Sequence, residues 1–509
     1  MPEYKSPGVY IEEVDRGTKP IEAVGTSMTA FVGITAEASV KQIDPETGER
    51  VPVQSVLNKP TLVTSWTQFV NVFGDFTAGA YLPDAVYGYF ANGGGPCYIV
   101  SLRATEEGAE EAEPASVTIP TSARGNSFTV TSKTPGPSSL SVTIKAGEED
   151  TFSVTVGGET KSGLTMKKGE DNFVGNVEFS AVEISDVGSA SATPTEGVYP
   201  LEGGGIPPLG TDDFVGDVSE RTGIAGLEAI EEIRILVAPD AMAGYDGSDE
   251  AKERVKMIQE AMISHCESAK YRFAILDAPP GMNAQQAQAW RNYVNFDTSY
   301  AALYYPWIRV ADLSGGGSTS KLVPPGGHLA GIYNRTDTER GVHKAPANEV
   351  VRGAIDLELR LSKSEQDTLN PIGVNCIRSF PGRGIRVWGG RTLSSDGSWR
   401  YINVRRLFIM AEASLDIGLQ WVVFEPNDRM LWARVRRDVT SFLRTVWLSG
   451  ALFGSTPDEA FYVKCDDELN PPEIRDLGQL IIEVGMAPVK PAEFVIFRIS
   501  QWAGANAEA

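Results

Sequence analysis

Between Ile233 and Tyr304 the chain changes hydrophobic period again and again, and this alternation limits the possible folds more than any other feature. Ile233-Arg234-Ile235-Leu236-Val237-Ala238, Phe273-Ala274-Ile275-Leu276 and Tyr300-Ala301-Ala302-Leu303-Tyr304 are apolar runs of strand length. Between them, a segment led by the cap residue Ser248 carries Val255, Ile258, Met262, Cys266 and Ala269 at helical spacing, and a second carries Ala284, Ala287, Trp290 and Val294. Strands that alternate with helices of this length predict an α/β core, a mostly parallel sheet with covering helices.

The flanks read differently. Val24 to Ile34 and Thr61 to Thr64 are strand-like, and Ser65 caps a helix carrying Trp66, Phe69, Val70 and Phe73. A helix over Pro83 to Asn92 stops at Gly93-Gly94-Gly95-Pro96, and Cys97 to Leu102 reads as a buried strand. At Ala104 the composition shifts to Ser, Thr, Gly and Val in alternating runs, which predicts an inserted all-β domain over 104–210. Past Pro371 come strands at Val374 to Arg378 and Ile385 to Trp388, helices over Asn403 to Leu419 and Asn427 to Ser449, and two last apolar runs. Those runs, Leu480 to Val484 and Phe494 to Ile499, flank a Pro-containing connection and are expected to pair as a hairpin.

Charge narrows the partners. The 509 residues carry 45 Lys+Arg against 67 Asp+Glu, a net charge of −22, which disfavours attraction of the whole molecule to nucleic acid or an anionic membrane. The insertion alone holds 6 basic and 16 acidic residues, as expected of a solvated outer surface. The opening MPEYKSPGVYIEEV has no cationic segment followed by an apolar one, and no run reaches the ~20 apolar residues of a membrane helix, so a soluble chain without a secretory signal is expected. Cys97, Cys266, Cys376 and Cys465 lie far apart, which predicts buried thiols of a reducing compartment.

Catalytic signals are sparse. Asp240 and Asp277 each follow an apolar strand, where α/β sheets often hold a ligand or a hydrolytic metal, but Ala-Pro-Asp and Asp-Ala-Pro are equally well explained as turns. A metal-dependent α/β hydrolase using these two carboxylates is one alternative; a monomeric adhesion or binding protein displaying the β-rich insertion is another. No G-x-S-x-G nucleophile elbow, H-E-x-x-H, Walker A or EF-hand sequence occurs. The three histidines, His265, His328 and His343, read as structural or surface residues, and Gly315 to Lys321 as a flexible loop.

One local signal runs against the overall charge. Residues 372–450 hold 12 Arg, no Lys and 6 acidic residues, a surplus of six positive charges. Arg434, Arg436, Arg437 and Arg444 lie on one predicted helix with Trp432, Phe442 and Trp447; guanidinium groups there suit a carboxylate-bearing neighbour, with intradomain salt bridges or nucleic acid as the competing readings.

Several stretches carry a family resemblance. Met1-Pro2-Glu3-Tyr4-Lys5-Ser6-Pro7-Gly8-Val9-Tyr10-Ile11-Glu12-Glu13 resembles the start of contractile tail sheath proteins. Val323 to Asp337 (VPPGGHLAGIYNRTD), Gly341 to Asn348 (GVHKAPAN) and Asn403-Val404-Arg405-Arg406-Leu407 are similar to the same family, and only the β-rich insertion lies outside the likeness.

The resemblance implies a subtilisin-like, non-catalytic α/β core with an α+β C-terminal domain facing an inner tube, extended terminal arms and the insertion as outward decoration. It implies a structural protein without a cofactor, whose partners are copies of itself, an inner tube protein, and baseplate and terminal cap proteins. Direct nucleic-acid binding and membrane insertion are not expected. The particle, a phage tail or an injection system, would be assembled in the bacterial cytoplasm. The expected boundaries are a linking arm over 1–20, the first part of the core over 21–103, the insertion over 104–210, the main α/β part over 211–371, the tube-facing domain over 372–490 and a linking strand over 491–509. Strand addition by Val9, Tyr10 and Ile11 and by Phe494, Val495, Ile496 and Phe497 is expected to keep neighbours joined, because backbone pairing survives changes in the side-chain interface.

Overall fold

A computed structural model describes residues 20–43, 50–105, 114–121, 125–135, 140–147, 151–189, 193–203, 209–313 and 319–499. Val9, Tyr10 and Ile11, the expected N-terminal linking strand, lie outside the described residues.

An eight-stranded sheet forms the centre. Across it run Gly384–Val387, Val374–Phe380, Ala301–Tyr305, Phe273–Asp277, Ile235–Val237, Thr29–Thr35, Cys97–Ala104 and Thr61–Val63. The six inner strands pair in parallel, with Ala30 beside Leu236, Leu236 beside Ala274 and Ile275 beside Ala302; the two edge strands are antiparallel. Buried parallel strands are apolar on both faces, and the period of two sorts their side chains into two cores. Ala30, Val32, Leu236, Ala274, Leu276 and Leu303 face helices Asp249–Ala269 and Ala284–Val294. Phe31, Ile235, Val237, Phe273, Ile275 and Tyr304 face helices Leu82–Ala91 and Gly326–Arg340.

The described strands between Pro114 and Gly203 form two four-stranded antiparallel sheets with a core of their own, including Phe128, Val130, Ile144, Phe152, Val154 and Val182. Phe152, Val154 and Val156 are buried while Ser153 and Thr155 between them are half-buried, the alternation of a strand with one face inward.

Beyond the sheet, helices Ile402–Gly418 and Arg429–Leu448 pack with a two-stranded sheet, Phe461–Lys464 and Glu483–Met486, around Leu407, Met410, Trp432, Val435, Val439 and Leu443. The expected pairing of Leu480 to Val484 with Phe494 to Ile499 does not form. Val484 lies opposite Val463, and residues 494–499 belong to no strand. The cause is local: Phe453 N–H donates to the Ala487 carbonyl and Val489 N–H to the Ala451 carbonyl, so the Pro488 to Pro491 stretch is led away along 451–453 instead of turning back. The end of the expected flexible loop also differs, since Ser320–Val323 is a strand paired with Ile308–Ala311.

Candidate intersubunit sites

The positions where a hydrolase of this architecture would work are sealed. Asp240 Oδ2 accepts from the N–H of Ile34 (2.6 Å) and Leu82 (3.2 Å), and Oδ1 from Tyr81 N–H (2.5 Å). The carboxylate thereby holds the start of helix Leu82–Ala91, as the dipole of a helix N-terminus favours. Gly33 makes room for it: a Cβ there would lie 2.3 Å from Asp240 Oδ2. Asp277 Oδ1 accepts from Gly326 N–H at 2.8 Å, the first residue of helix Gly326–Arg340. Both side chains are buried, and burial pushes each carboxyl up to about 7 against the pull of its N–H donors.

Of the histidines, His328 is buried and His265 and His343 are half-buried. His265 Nε2 meets Arg272, and His328 is packed between the two helices beside Gly88. Burial pushes both imidazoles down to about 4, and lowers the half-buried His343 as well. All four cysteines are buried free thiols. Among the described residues, no three His, Cys, Asp or Glu side chains come together as a metal site, and no helix is long and apolar enough to cross a membrane.

The arginine helix is split by its own amphipathicity. Asp428 caps it, accepting from Leu431 N–H at 2.8 Å, and Leu431, Trp432, Val435, Val439, Phe442, Leu443 and Val446 face inward. Arg434, Arg437 and Arg444 therefore face solvent. Arg434 lies 5.3 Å from the Trp421 ring centroid, Arg437 Nε is 3.0 Å from Asp438, and Arg444 has no partner among the described residues. Arg436 departs from this set: half-buried, it donates to the Cys465 carbonyl inside its own domain.

The C-terminal run is anchored at one residue. Glu493 accepts from Arg391 Nε and Nη2 at 2.8 Å each, from Asn370 Nδ2 at 2.6 Å and from Tyr401 Oη at 2.9 Å. Beyond it Phe494, Val495, Ile496 and Phe497 are 69–82% exposed, an apolar stretch left largely uncovered by the described residues of its own chain. Sequence reading missed Arg391 and Glu493; the available signal was that Glu493 is the only acidic residue between Pro488 and Ile499. A cleft of about 920 Å³ opens beside this anchor, between the 490–495 segment and Lys344, Lys363, Arg378 and Trp388.

Residues 217–393 match the phage tail sheath protein central domain and residues 394–501 the phage tail sheath C-terminal domain. The chain belongs to the contractile tail sheath family. This sheath protein is 23% identical over 512 residues to the tail sheath protein of Burkholderia phage BcepMu, covering 96% of the chain and 94% of the relative. Its match to the tail sheath protein of Vibrio phage KVP40, 23% identical over 380 residues, covers 67% of the chain but only about half (53%) of that longer relative. Among solved structures, the helical sheath of the anti-feeding prophage in its contracted state superposes with a TM-score of 0.59 at 25% identity, over 98% of this chain and 99% of that one. The family is one of structural sheath proteins in contractile particles, and the hydrolase and adhesion alternatives find no support in it.

Proposed function

We propose that this sheath protein polymerises with copies of itself into stacked rings around an inner tube, is held there in a metastable extended state, and contracts to drive the tube through a target envelope. The observation that carries the reading is the run Phe494 to Ile499: five apolar side chains, 69–95% exposed, following a fixed anchor at Glu493. Left in water, such a run is an open template for pairing with another chain. The sheet of Phe461–Lys464 and Glu483–Met486 is the acceptor in this reading, because two strands alone are marginal in water and no third strand joins them among the described residues. Each backbone hydrogen bond gained in this way contributes ~0.5–1.5 kcal/mol, and every subunit repeats them.

In this reading the core is a subtilisin-like scaffold without catalysis, and the energy for contraction is conformational. The 104–210 insertion is outward decoration and the 372–490 region faces the tube. Arg434, Arg437 and Arg444 contact an acidic tube surface or a neighbouring subunit; at ~0–1 kcal/mol apiece such contacts hold collectively and release on contraction. Val9, Tyr10 and Ile11 form the second linking strand, and baseplate and cap proteins close the ends of a particle assembled in the bacterial cytoplasm.

Electron microscopy with sedimentation of the purified chain at high concentration, with and without its tube protein, tests this. Striated cylinders are expected; a discrete small species under every condition would refute it. Removal of Pro2 to Lys19 is expected to leave a folded monomer that forms no cylinders.

A further inference from the structure

One guanidinium in the core has no carboxylate to answer it. Arg234, immediately before the inner strand Ile235–Val237, is 4% exposed. Its Nη1 donates to the carbonyls of Glu231 and Ile233; its buried Nε has no partner, and Nη2 donates to nothing among the described residues. Arg272, 3% exposed, stands beside it before the neighbouring strand, since Phe273 N–H donates to the Arg234 carbonyl at 2.8 Å. Its bonds go to His265 and to the carbonyls of Leu227 and Ile230, again to no carboxylate. The acidic side chains close in sequence, Glu228, Glu231 and Glu232, are exposed, and Glu232 accepts from Tyr98 Oη at 2.6 Å. Burial lowers both guanidinia, Arg272 to about 10, and the charge of Arg234 works in the same direction on Arg272.

A small cavity lies against this charge. Thr26, Arg234, Phe273, Arg406, Ile409 and Met410 line a space of about 10 Å³. Arg406 adds no surplus, because Asp337 takes its Nη1 and Nη2 at 3.0 and 2.5 Å. Nη2 also donates to the Thr26 carbonyl at 3.0 Å, and Nε donates to nothing among the described residues. Arg234, Arg272 and Arg406 against Asp337 thus leave two positive charges where the central sheet, helix Ile402–Gly418 and the stretch around Thr26 meet. Size decides among the ligands. A cavity of this volume holds about one water-sized sphere, which excludes sulfate, phosphate and carboxylate and leaves a water molecule or a single monatomic anion. Water can accept a free N–H but leaves the charge uncancelled. A halide accepts from several donors at once and neutralises it, and burial penalises an unpaired ion far more than an unpaired dipole.

We infer that this cavity binds one monatomic anion, chloride in the cell, between Arg234 and Arg406. The ion joins three parts of the chain that are distant in sequence: the start of the inner strand, the helix and the Thr26 stretch. The site lies inside a single subunit and does not depend on the polymerisation proposed above.

The test compares the full chain in sodium chloride, sodium bromide and sodium gluconate at equal ionic strength, gluconate being too large to enter. Hydrogen exchange in residues 24–28, 233–236 and 405–411 is expected to be about threefold slower or more in chloride and bromide than in gluconate. Equal exchange in all three salts would leave the cavity to water and overturn the inference, as would slowing confined to other segments. Arg234→Met removes the unpaired cation. The gain in melting temperature from gluconate to chloride is expected to be about 2 °C or more larger in the parent than in this variant, a comparison in which general salt effects cancel. The same gain in both would place the anion elsewhere and overturn the inference. If Arg234→Met fails to fold, the exchange comparison on the parent chain decides alone.

Discussion

Arg391 grips Glu493 with two parallel hydrogen bonds, Nε to Oε1 and Nη2 to Oε2, each 2.8 Å long, across 102 residues of sequence. Both partners are mostly shielded from water, and Asn370 and Tyr401 use the remaining lone pairs of the carboxylate. A bidentate guanidinium fixes direction as well as position, so the exit path of the C-terminal run is set here.

Glu493→Ala leaves that guanidinium unpaired and is expected to cost about 2 kcal/mol, read in urea unfolding of the monomer, with faster hydrogen exchange confined to 488–499. Burial pushes the Glu493 carboxyl up, yet its bonds to Arg391, Asn370 and Tyr401 outweigh this and hold it below the usual range. The anchor's contribution is thus complete above ~4.3, the ordinary glutamate value, and disappears as the pH falls through the lowered native one. Equal exchange rates in variant and parent would show that the anchor does not order the run.

Gly33→Ala places a methyl group 2.3 Å from Asp240 Oδ2, where neither strand nor carboxylate can yield. A loss of about 3 kcal/mol in denaturant unfolding is expected, from overpacking and strained hydrogen bonds together. A change below about 0.5 kcal/mol would mean that Asp240 can move.

Asp240 and Asp277 titrate near 7 in the fold and near 3.8 when exposed, so their contribution is complete below 3.8 and is lost as the pH rises toward 7. His265 and His328, near 4 in the fold, act oppositely: their contribution is complete above ~6.5 and is lost as the pH falls. In Asp240→Asn with Asp277→Asn only the histidine trend remains, and the melting temperature is expected to fall more steeply between pH 7 and 5 than in the parent. Parallel curves would show both carboxyls to be ionised throughout.

Arg437→Glu and Arg444→Glu alter exposed side chains and are expected to change monomer stability by less than about 0.5 kcal/mol while reducing the yield of tube-filled particles. Arg436→Glu would strand the Cys465 carbonyl and cost about 1–2 kcal/mol, making it a folding variant. Equal yields from all three and the parent would remove this helix from the tube interface.

Ile496→Lys with Phe497→Lys replaces side chains already 80% and 82% exposed, so the monomer is expected to melt as before. Its polymerisation, followed by sedimentation, should be abolished. Unchanged polymers would assign linkage to another segment.

The sequence disclosed what is periodic and local. Ser65 and Ser248 cap the helices assigned to them, and Val255 to Cys266 face the sheet. What it concealed depends on distant partners. Asp240 reads as a turn residue until Ile34 and Leu82, more than 150 residues away, are placed beside it. The glycines of Val323-Pro324-Pro325-Gly326-Gly327 look like loop formers, yet Gly327 sits in a helix because Ala85 leaves no space for a side chain. Of the run Leu480 to Val484 only Glu483 and Val484 fall in the strand Glu483–Met486, and its mate was illegible, since a local hairpin and a pairing with Phe461–Lys464 have the same alternation.

Helix Ile402–Gly418 contributes Ile402 and Ile409 to the core under the central sheet and Leu407, Met410 and Ala411 to the C-terminal core, while Arg406 is locked to Asp337 of helix Gly326–Arg340 by bonds of 2.5 and 3.0 Å. A single rod driven into both masses leaves no joint between them. In the assembly proposed above, torque passed from one subunit to the next travels through this continuous packing, which leaves the linking segments to give.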